Sequence, residues 1–354
     1  MPGESRAGRG GGLSAVDILS RPVEHAVAWR AADFADEASF TRSLTPGELS
    51  ELDRAVAGLR ATGIPLHEVR EEDFPLPTLG PVLKEQQVEL EDGRGFTILR
   101  GLPVDRYELD ELKLAYVGLL SHLGEVIGQD TKGTLIEHVI DRNMSYESIQ
   151  VRGYMTKAEL TPHCDSGDVV ALLCIKPAKS GGTSQIASSI SIYNEILRTH
   201  PEYLEPLYRG FHHNIRGNGP VGDWENVTRH RVPVFSHYKG TLSGRYNLKA
   251  ILTAEQIPGV EPLSELERRA VEYVGELAMR PDLRLDMDLR AGDLQLLNNH
   301  TVLHTRTAFE DHEELEQKRF LLRAWINMPN SRPLEDGFAD HFNTGPRQSP
   351  ALKP

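Results

Sequence analysis

A chain of 354 residues, 39% hydrophobic and 26% charged, has the composition of a soluble globular protein with enough apolar surface for a large core. Its net charge of −13 excludes the basic face that phosphate neutralisation demands, so neither nucleic acid nor an anionic membrane is an expected partner. A small anionic substrate stays compatible with that charge, because a few local arginines can invert the field inside a pocket.

Two cysteines, Cys164 and Cys174, are too few for a disulfide framework at this length. The Gly- and Arg-rich start has no apolar signal core, and no stretch approaches membrane-spanning length. A cytoplasmic location is therefore expected, with a homo-oligomer left open.

Residues 1 to about 40 read as a flexible start followed by an irregular arm. Thr45-Pro46-Gly47-Glu48 has capping-box spacing with proline at the first helical position. Leu49, Leu52, Val56 and Leu59 recur at helical spacing before Gly63, which predicts a helix between them. Gly95 to Leu99 reads as a buried strand, and Glu108 to Leu123 as an amphipathic helix. Val169 to Ile175 is a fully apolar strand ended by Pro177 and a Gly181-Gly182 turn. Ile190 to Arg209 reads as two short helices broken at Pro201, and Ser264-Glu265-Leu266-Glu267 opens a helix running to about Met279.

Leu283, Leu285, Met287 and Leu289 alternate with charged residues, a period of two. Ala291-Gly292-Asp293 turns into an apolar strand ending at Asn298-Asn299. Arg319, Leu321, Arg323 and Trp325 then share one face of a further strand, with Phe320, Leu322, Ala324 and Ile326 on the other. The tail after Pro329 is polar and rich in proline and glycine, and reads as mobile. Short strands separated by turns, with helices inserted between some of them, predict a mainly β fold with added helices (α+β), a sandwich or barrel. The expected organisation is an N-terminal arm and helix over 1–90, a core over 91–330 with a helical insertion around 190–280, and a tail over 331–354.

The chemistry is concentrated in Thr161-Pro162-His163-Cys164-Asp165. In an extended segment, His163 and Asp165 face the same side. Two imidazoles and one carboxylate on a metal leave coordination positions open, the facial triad of non-haem iron(II) oxygenases. His163-Cys164-Asp165 is the only His-x-Asp in the chain. Spacing alone leaves the second histidine open between His300 and His304. Arg319 lies a short excursion after His304 in an apolar run, and a buried guanidinium there calls for an anion, best a carboxylate held by its planar fork.

Taken together, these pieces resemble the TauD/TfdA family of iron(II)- and 2-oxoglutarate-dependent dioxygenases. The matching segments are Thr161 to Asp165, Ser180-Gly181-Gly182-Thr183, Ala291-Gly292-Asp293 with Leu296 to Asn299, His304, and Lys318 to Arg323. They arrive in family order and span roughly residues 90 to 330. The resemblance implies a double-stranded β-helix (jelly roll, cupin-like) core and iron(II) held by His163, Asp165 and His304. It implies 2-oxoglutarate bound through Arg319 and the Thr183 hydroxyl, with Arg323 near the co-substrate's other end or the substrate's anionic group. The reaction it implies consumes 2-oxoglutarate and dioxygen, releases succinate and carbon dioxide, and hydroxylates an unactivated carbon. Cys164 departs from the threonine or small residue frequent at that position, and its side chain is expected to face away from the metal. Asp165 argues against halogenation, which requires that carboxylate to be absent.

For the substrate the expectation is a small polar molecule, anionic or amino-acid-like. His212, Asn214 and Arg216, on one face of an extended segment, are candidate contacts, as are Asn299, Arg306 and Tyr246. The same iron site could instead serve desaturation or ring formation in natural-product biosynthesis. A barrel that binds a small ligand without turnover is the non-enzymatic alternative. A zinc hydrolase is disfavoured by the lack of a His-Glu-x-x-His pattern.

Overall fold

Alternation along the strands sorts their side chains into layers. In a computed structural model that describes residues 18–130, 132–146, 151, 153–215, 227–330 and 332–338, the strands are β1 (Thr41–Ser43), β2 (Phe96–Arg100), β3 (Glu125–Ile127), β4 (Glu137–Val139), β5 (Val169–Lys176), β6 (Ser180–Gly181), β7 (Ser184–Ser188), β8 (Phe235–Tyr238), β9 (Thr241–Gly244), β10 (Arg284–Met287), β11 (Leu294–Asn298), β12 (Val302–Arg306), β13 (Phe309–Glu310) and β14 (Phe320–Asn327). The helices are α1 (Pro46–Thr62), α2 (Leu79–Glu91), α3 (Leu109–Ser121), α4 (Ser189–Thr199), α5 (Leu204–Arg209), α6 (Leu248–Ala254) and α7 (Glu265–Ala278). The expectations for the first seventeen residues, for Arg216 and for the tail beyond Phe338 lie outside the described residues.

The major sheet runs β1-β2-β11-β5-β14-β3, with β4 also on β14; the minor sheet is β10-β7-β12. On the major sheet Val169, Ala171 and Leu173 of β5, Leu294 and Leu296 of β11, and Leu322, Ala324 and Ile326 of β14 pack against α1, α2 and α3. The alternate residues Val170, Leu297 and Trp325 turn the other way and meet Ile186, Met287 and Val302 of the minor sheet. On the outer side of the minor sheet, Ala187 and Leu303 pack with α4, α5, α6 and α7. The result is helices, sheet, sheet, helices: a mixed α+β jelly-roll core. Among the described residues no strand pairing closes the two sheets into a barrel.

The predicted α1 forms with both its signals in use. Thr45 Oγ1 accepts from Glu48 N, Glu48 accepts from Thr45 N, and Gly63 closes the helix at φ +69°, where only glycine avoids a steric cost. The two halves of the 190–209 region form as α4 and α5, separated by a short turn at Pro201. Helix α2 has no counterpart in the sequence reading. Its start, Leu79-Gly80-Pro81, looks like a turn, but proline is tolerated in a first turn, and Glu51 of α1 supplies the missing cap by accepting from Thr78 N and Leu79 N at 2.8 Å.

Glu195 of α4 ties the N-terminal arm to α7. It is buried at 3% side-chain exposure and accepts from Arg30, Arg198 and Arg280. Arg198, with Arg280 and Arg30, outweighs burial and holds its carboxyl at about 2. A depressed carboxyl contributes stability above its unfolded value and loses it as pH falls through the folded one. Glu195→Gln should therefore lower unfolding stability at pH 7 by about 1.5–3 kcal/mol. In denaturant titrations that deficit should shrink as pH falls from about 4.5 toward 2; a deficit constant over that window would contradict the assignment.

Candidate active site

The mouth between the two sheets holds a cavity of about 160 Å³. His304 and Arg306 reach it from β12, Arg323 and Trp325 from β14, and Ser184 from β7. His163 is not in a regular strand, but it is laid antiparallel along β12: His163 N donates to His304 O at 3.0 Å, and His304 N donates back at 2.8 Å. The following residue pairs on the other side, with Cys164 N donating to Tyr246 O at 2.9 Å. Asp165 N then donates to Asn299 Oδ1 at 3.1 Å, and Arg245 Nη1 donates to Asp165 O at 2.9 Å. This extended path puts His163 and Asp165 on one side of the chain, with Cys164 packed among the helices beyond the minor sheet.

Consequently His163, Asp165 and His304 each offer a ligand atom within 4.8 Å of the others, the group of metal-competent side chains found among the described residues. The two imidazole centroids lie 4.5 Å apart. His163 Nδ1 donates to Thr161 O at 2.9 Å, which fixes the tautomer and leaves Nε2 as the basic nitrogen. Burial, reinforced by neighbouring His163, pushes His304 down to about 3, so its imidazole is neutral at pH 7. Burial alone would raise the Asp165 carboxyl, but Arg323 and the two histidines outweigh it and hold it at about 2. Two imidazoles and one carboxylate converging on a cavity fit a divalent iron with open positions.

His300 is placed elsewhere: its Nε2 meets Asp168 Oδ1 at 3.1 Å, away from the cavity. Asn299 supports the metal-facing loop rather than the cavity, its Nδ2 donating to Ser166 O and Gly167 O.

Arg319 is 8% exposed, and its guanidinium has no protein acceptor among the described residues. Its charge rests against the Phe309 ring at 5.1 Å, and burial lowers it to about 10. A buried, unmatched guanidinium on a cavity wall fits an incoming carboxylate. Arg306, also buried, is spent on the strap crossing the cavity, donating to Thr156 O at 3.1 Å and to Ala158 O. Arg323 is committed as well: its Nη1 lies 3.1 and 3.3 Å from the two Asp165 oxygens, and its Nε donates to Gln129 Oε1 at 2.8 Å.

Thr183 does not reach the cavity. Gly181 and Gly182 both take positive φ, +70° and +75°, and the strand restarts so that Thr183 faces out and donates to Asp288 Oδ1 at 2.8 Å. Ser184 faces in, held by Gln295 Nε2 at 3.0 Å. Near the helical insertion, Asn214 borders the cavity and His212 does not; His212 Nδ1 is bound to Thr228 O at 2.9 Å, and His213 borders the cavity instead. Tyr246 also borders it, with its hydroxyl turned away to Val271 O. Arg216 lies outside the described residues. Gln129, Ser184, His213, Arg245 and Lys249 are among the cavity residues that sequence reasoning missed; a count of two residues from each inward neighbour would have found Ser184, since Ile186 is the apolar inward residue of β7.

The profile of the family described as "Taurine catabolism dioxygenase TauD, TfdA family" matches residues 62–325. FR-33289 synthase from Streptomyces rubellomurinus is 31% identical over 331 residues, covering 92% of this chain and 96% of that protein. Among solved structures, an asparagine oxygenase in complex with Fe(II), 3-hydroxyasparagine and succinate superposes with a TM-score of 0.62 at 17% identity, covering 81% of this chain and 93% of that one. The non-haem iron oxygenase OrfP, in complex with Fe and alpha-ketoglutaric acid, superposes with a TM-score of 0.59 at 18% identity, covering 81% and 94%. Among the described residues no helix is long and apolar enough to cross a membrane. With most of its length matched by one family profile and by a full-length relative, the chain belongs to the TauD/TfdA family and is a non-haem iron dioxygenase that uses 2-oxoglutarate.

Proposed function

We propose that this dioxygenase hydroxylates a carbon of a small anionic molecule, with His163, Asp165 and His304 holding iron(II) and Arg319 holding the distal carboxylate of 2-oxoglutarate. The observation that carries the reading is the convergence of the three ligand atoms on a cavity whose wall also bears a buried guanidinium without an acceptor. Iron with 2-oxoglutarate and dioxygen supplies the oxidising power; the protein supplies position and charge. Ser184 Oγ is held by Gln295 on both counts, accepting from Nε2 at 3.0 Å and donating to Oε1 at 3.1 Å, and so fixes the cavity wall near Arg319. Thr183, turned to Asp288, supports the turn instead.

An anionic substrate is supported by the charges bordering the cavity. Arg245, Lys249, Arg306, Arg319 and Arg323 face it against the carboxylates of Asp130 and Asp165, a local excess of positive charge in a chain of net charge −13. Asn214 and His213 border the end formed by the helical insertion and are the proposed substrate contacts. The asparagine oxygenase, by its printed description, holds the small molecule 3-hydroxyasparagine, and a substrate of that size suits this cavity.

The test is a screen of small carboxylates, sulfonates, phosphorylated compounds and amino acids, scored by succinate release and product mass. One added oxygen atom in the product, with one succinate per product, supports hydroxylation. Loss of two hydrogens would reassign the enzyme to desaturation or ring formation, and no stimulated succinate release across all classes would contradict a small anionic substrate.

The two histidine candidates give a paired prediction. His304→Ala should reduce iron(II) affinity by well over about 10-fold, while His300→Ala should leave it within about twofold and lower only stability. Equilibrium iron binding under nitrogen separates the two; the reverse pattern would move the distal ligand to His300.

A further inference from the structure

The edge of the major sheet has a break beside the metal-facing carboxylate. β3 runs against Trp325–Asn327 and β4 against Leu321–Arg323, and the chain between them leaves the edge of β14. Gln129 lies in this excursion, 3% exposed, and its side-chain amide fills the break. Nε2 donates to Arg323 O and to Leu135 O, both at 2.9 Å, while Oε1 accepts from Arg323 Nε at 2.8 Å. One side chain therefore grips the same arginine by its backbone and by its guanidinium.

The grip leaves the guanidinium little freedom. It is held between the rings of Tyr154 and Trp325, with centroids 4.9 and 5.1 Å away, and its Nη1 spans both oxygens of Asp165. A carboxylate can bind a metal through one oxygen or through both, and the second mode would occupy a position that a chelating 2-oxo acid needs. A cation held across the carboxylate competes for one of its oxygens. The side-chain hydrogen bonds of Gln129 among the described residues go to Leu135 and Arg323 and not to Asp165; it acts by fixing Arg323, the kind of supporting contact that orients a ligand.

We propose that Gln129 is a positioning residue which, through Arg323, keeps Asp165 a one-oxygen ligand and so preserves the co-substrate's place on the iron. The proposal rests on the iron site described under the proposed function.

The test uses the full chain under nitrogen, with iron(II) affinity and 2-oxoglutarate affinity measured separately, the second from the visible band of the ternary complex. Gln129→Leu should leave iron(II) affinity within about twofold of wild type and weaken 2-oxoglutarate binding by about 10- to 100-fold. Arg323→Lys keeps the charge but loses the Nε that Gln129 holds, and should give the same split. The double variant should be no worse than either single one, because both remove one chain of contacts. Should Gln129→Leu fail to fold, Gln129→Glu serves instead: it retains an acceptor but draws the guanidinium off Asp165, with the same split expected. Parallel loss of iron and 2-oxoglutarate affinity would overturn the proposal in favour of general loosening. Unchanged 2-oxoglutarate affinity would overturn it, because the proposal acts through the co-substrate's place on the iron. Asp165→Ala is the control for the iron site itself: if it retains full iron affinity, that underlying reading fails, whatever the Gln129 variants do.

Discussion

Asp165→Ala should weaken iron(II) binding by more than about 100-fold and abolish product-coupled 2-oxoglutarate turnover, since it deletes a ligand itself, where contacts behind the ligands are worth about 10- to 100-fold in metal affinity or activity. The expectation follows from how the residue is placed. Its backbone is pinned on both sides, by Asn299 Oδ1 and by Arg245, so truncating the side chain leaves the loop where it is and removes only the carboxylate. Asp165→Ala also strips Arg323 of its buried counter-ion, which adds a folding cost of a few kcal/mol, on the order of 3–5. Circular dichroism and iron titration together separate the two effects: a folded protein without iron affinity is expected. A folded Asp165→Ala protein with wild-type activity would remove the carboxylate from the metal site.

Arg319→Leu should raise the 2-oxoglutarate requirement while sparing iron affinity. Removing one partner of a buried, hydrogen-bonded charge pair costs about 2–5 kcal/mol, roughly 30- to several thousand-fold in affinity. The same change should not lower the melting midpoint of the ligand-free protein, because the guanidinium is buried there without a protein acceptor and burial already lowers its pKa to about 10. Wild-type protein should gain stability from 2-oxoglutarate by mass action, about 2.7 kcal/mol at a hundredfold excess over Kd, and Arg319→Leu should not. Thermal unfolding with and without 2-oxoglutarate reads both halves. A variant that is strongly destabilised alone, yet still stabilised by 2-oxoglutarate, would mean that Arg319 serves the fold and that another residue receives the carboxylate.

What the sequence made legible is what strand and helix periods encode. The alternation through Arg319, Leu321, Arg323 and Trp325 predicted an inward face, and that face lines the cavity despite a register shift between Phe320 and Leu321. The capping boxes at Thr45 and Ser264 marked the starts of α1 and α7. What stayed illegible depends on contacts between distant segments. Nothing local announces that Glu51 caps α2, so the helix had no counterpart in the sequence reading. The phase of β7 is reset by two left-handed glycines, and so the inward hydroxyl is Ser184 and not Thr183. Arg323 looked like a free anion-binding group because its partners, Asp165 and Gln129, lie 158 and 194 residues away in the chain. The choice between His300 and His304 had the same character. Both follow β11 closely, and only the antiparallel pairing of His163 with His304 brings one imidazole and not the other to the cavity.

Chelation of 2-oxoglutarate on iron held by His163, Asp165 and His304 is tested most directly by an anaerobic visible-absorption titration of metal-free protein, first with iron(II) and then with 2-oxoglutarate. A weak charge-transfer band that appears only when both are present, and that is lost in Asp165→Ala and shifted to higher 2-oxoglutarate concentration in Arg319→Leu, is the predicted result. Iron shown to be bound, with no band on saturating 2-oxoglutarate, would contradict chelation of the co-substrate at this site.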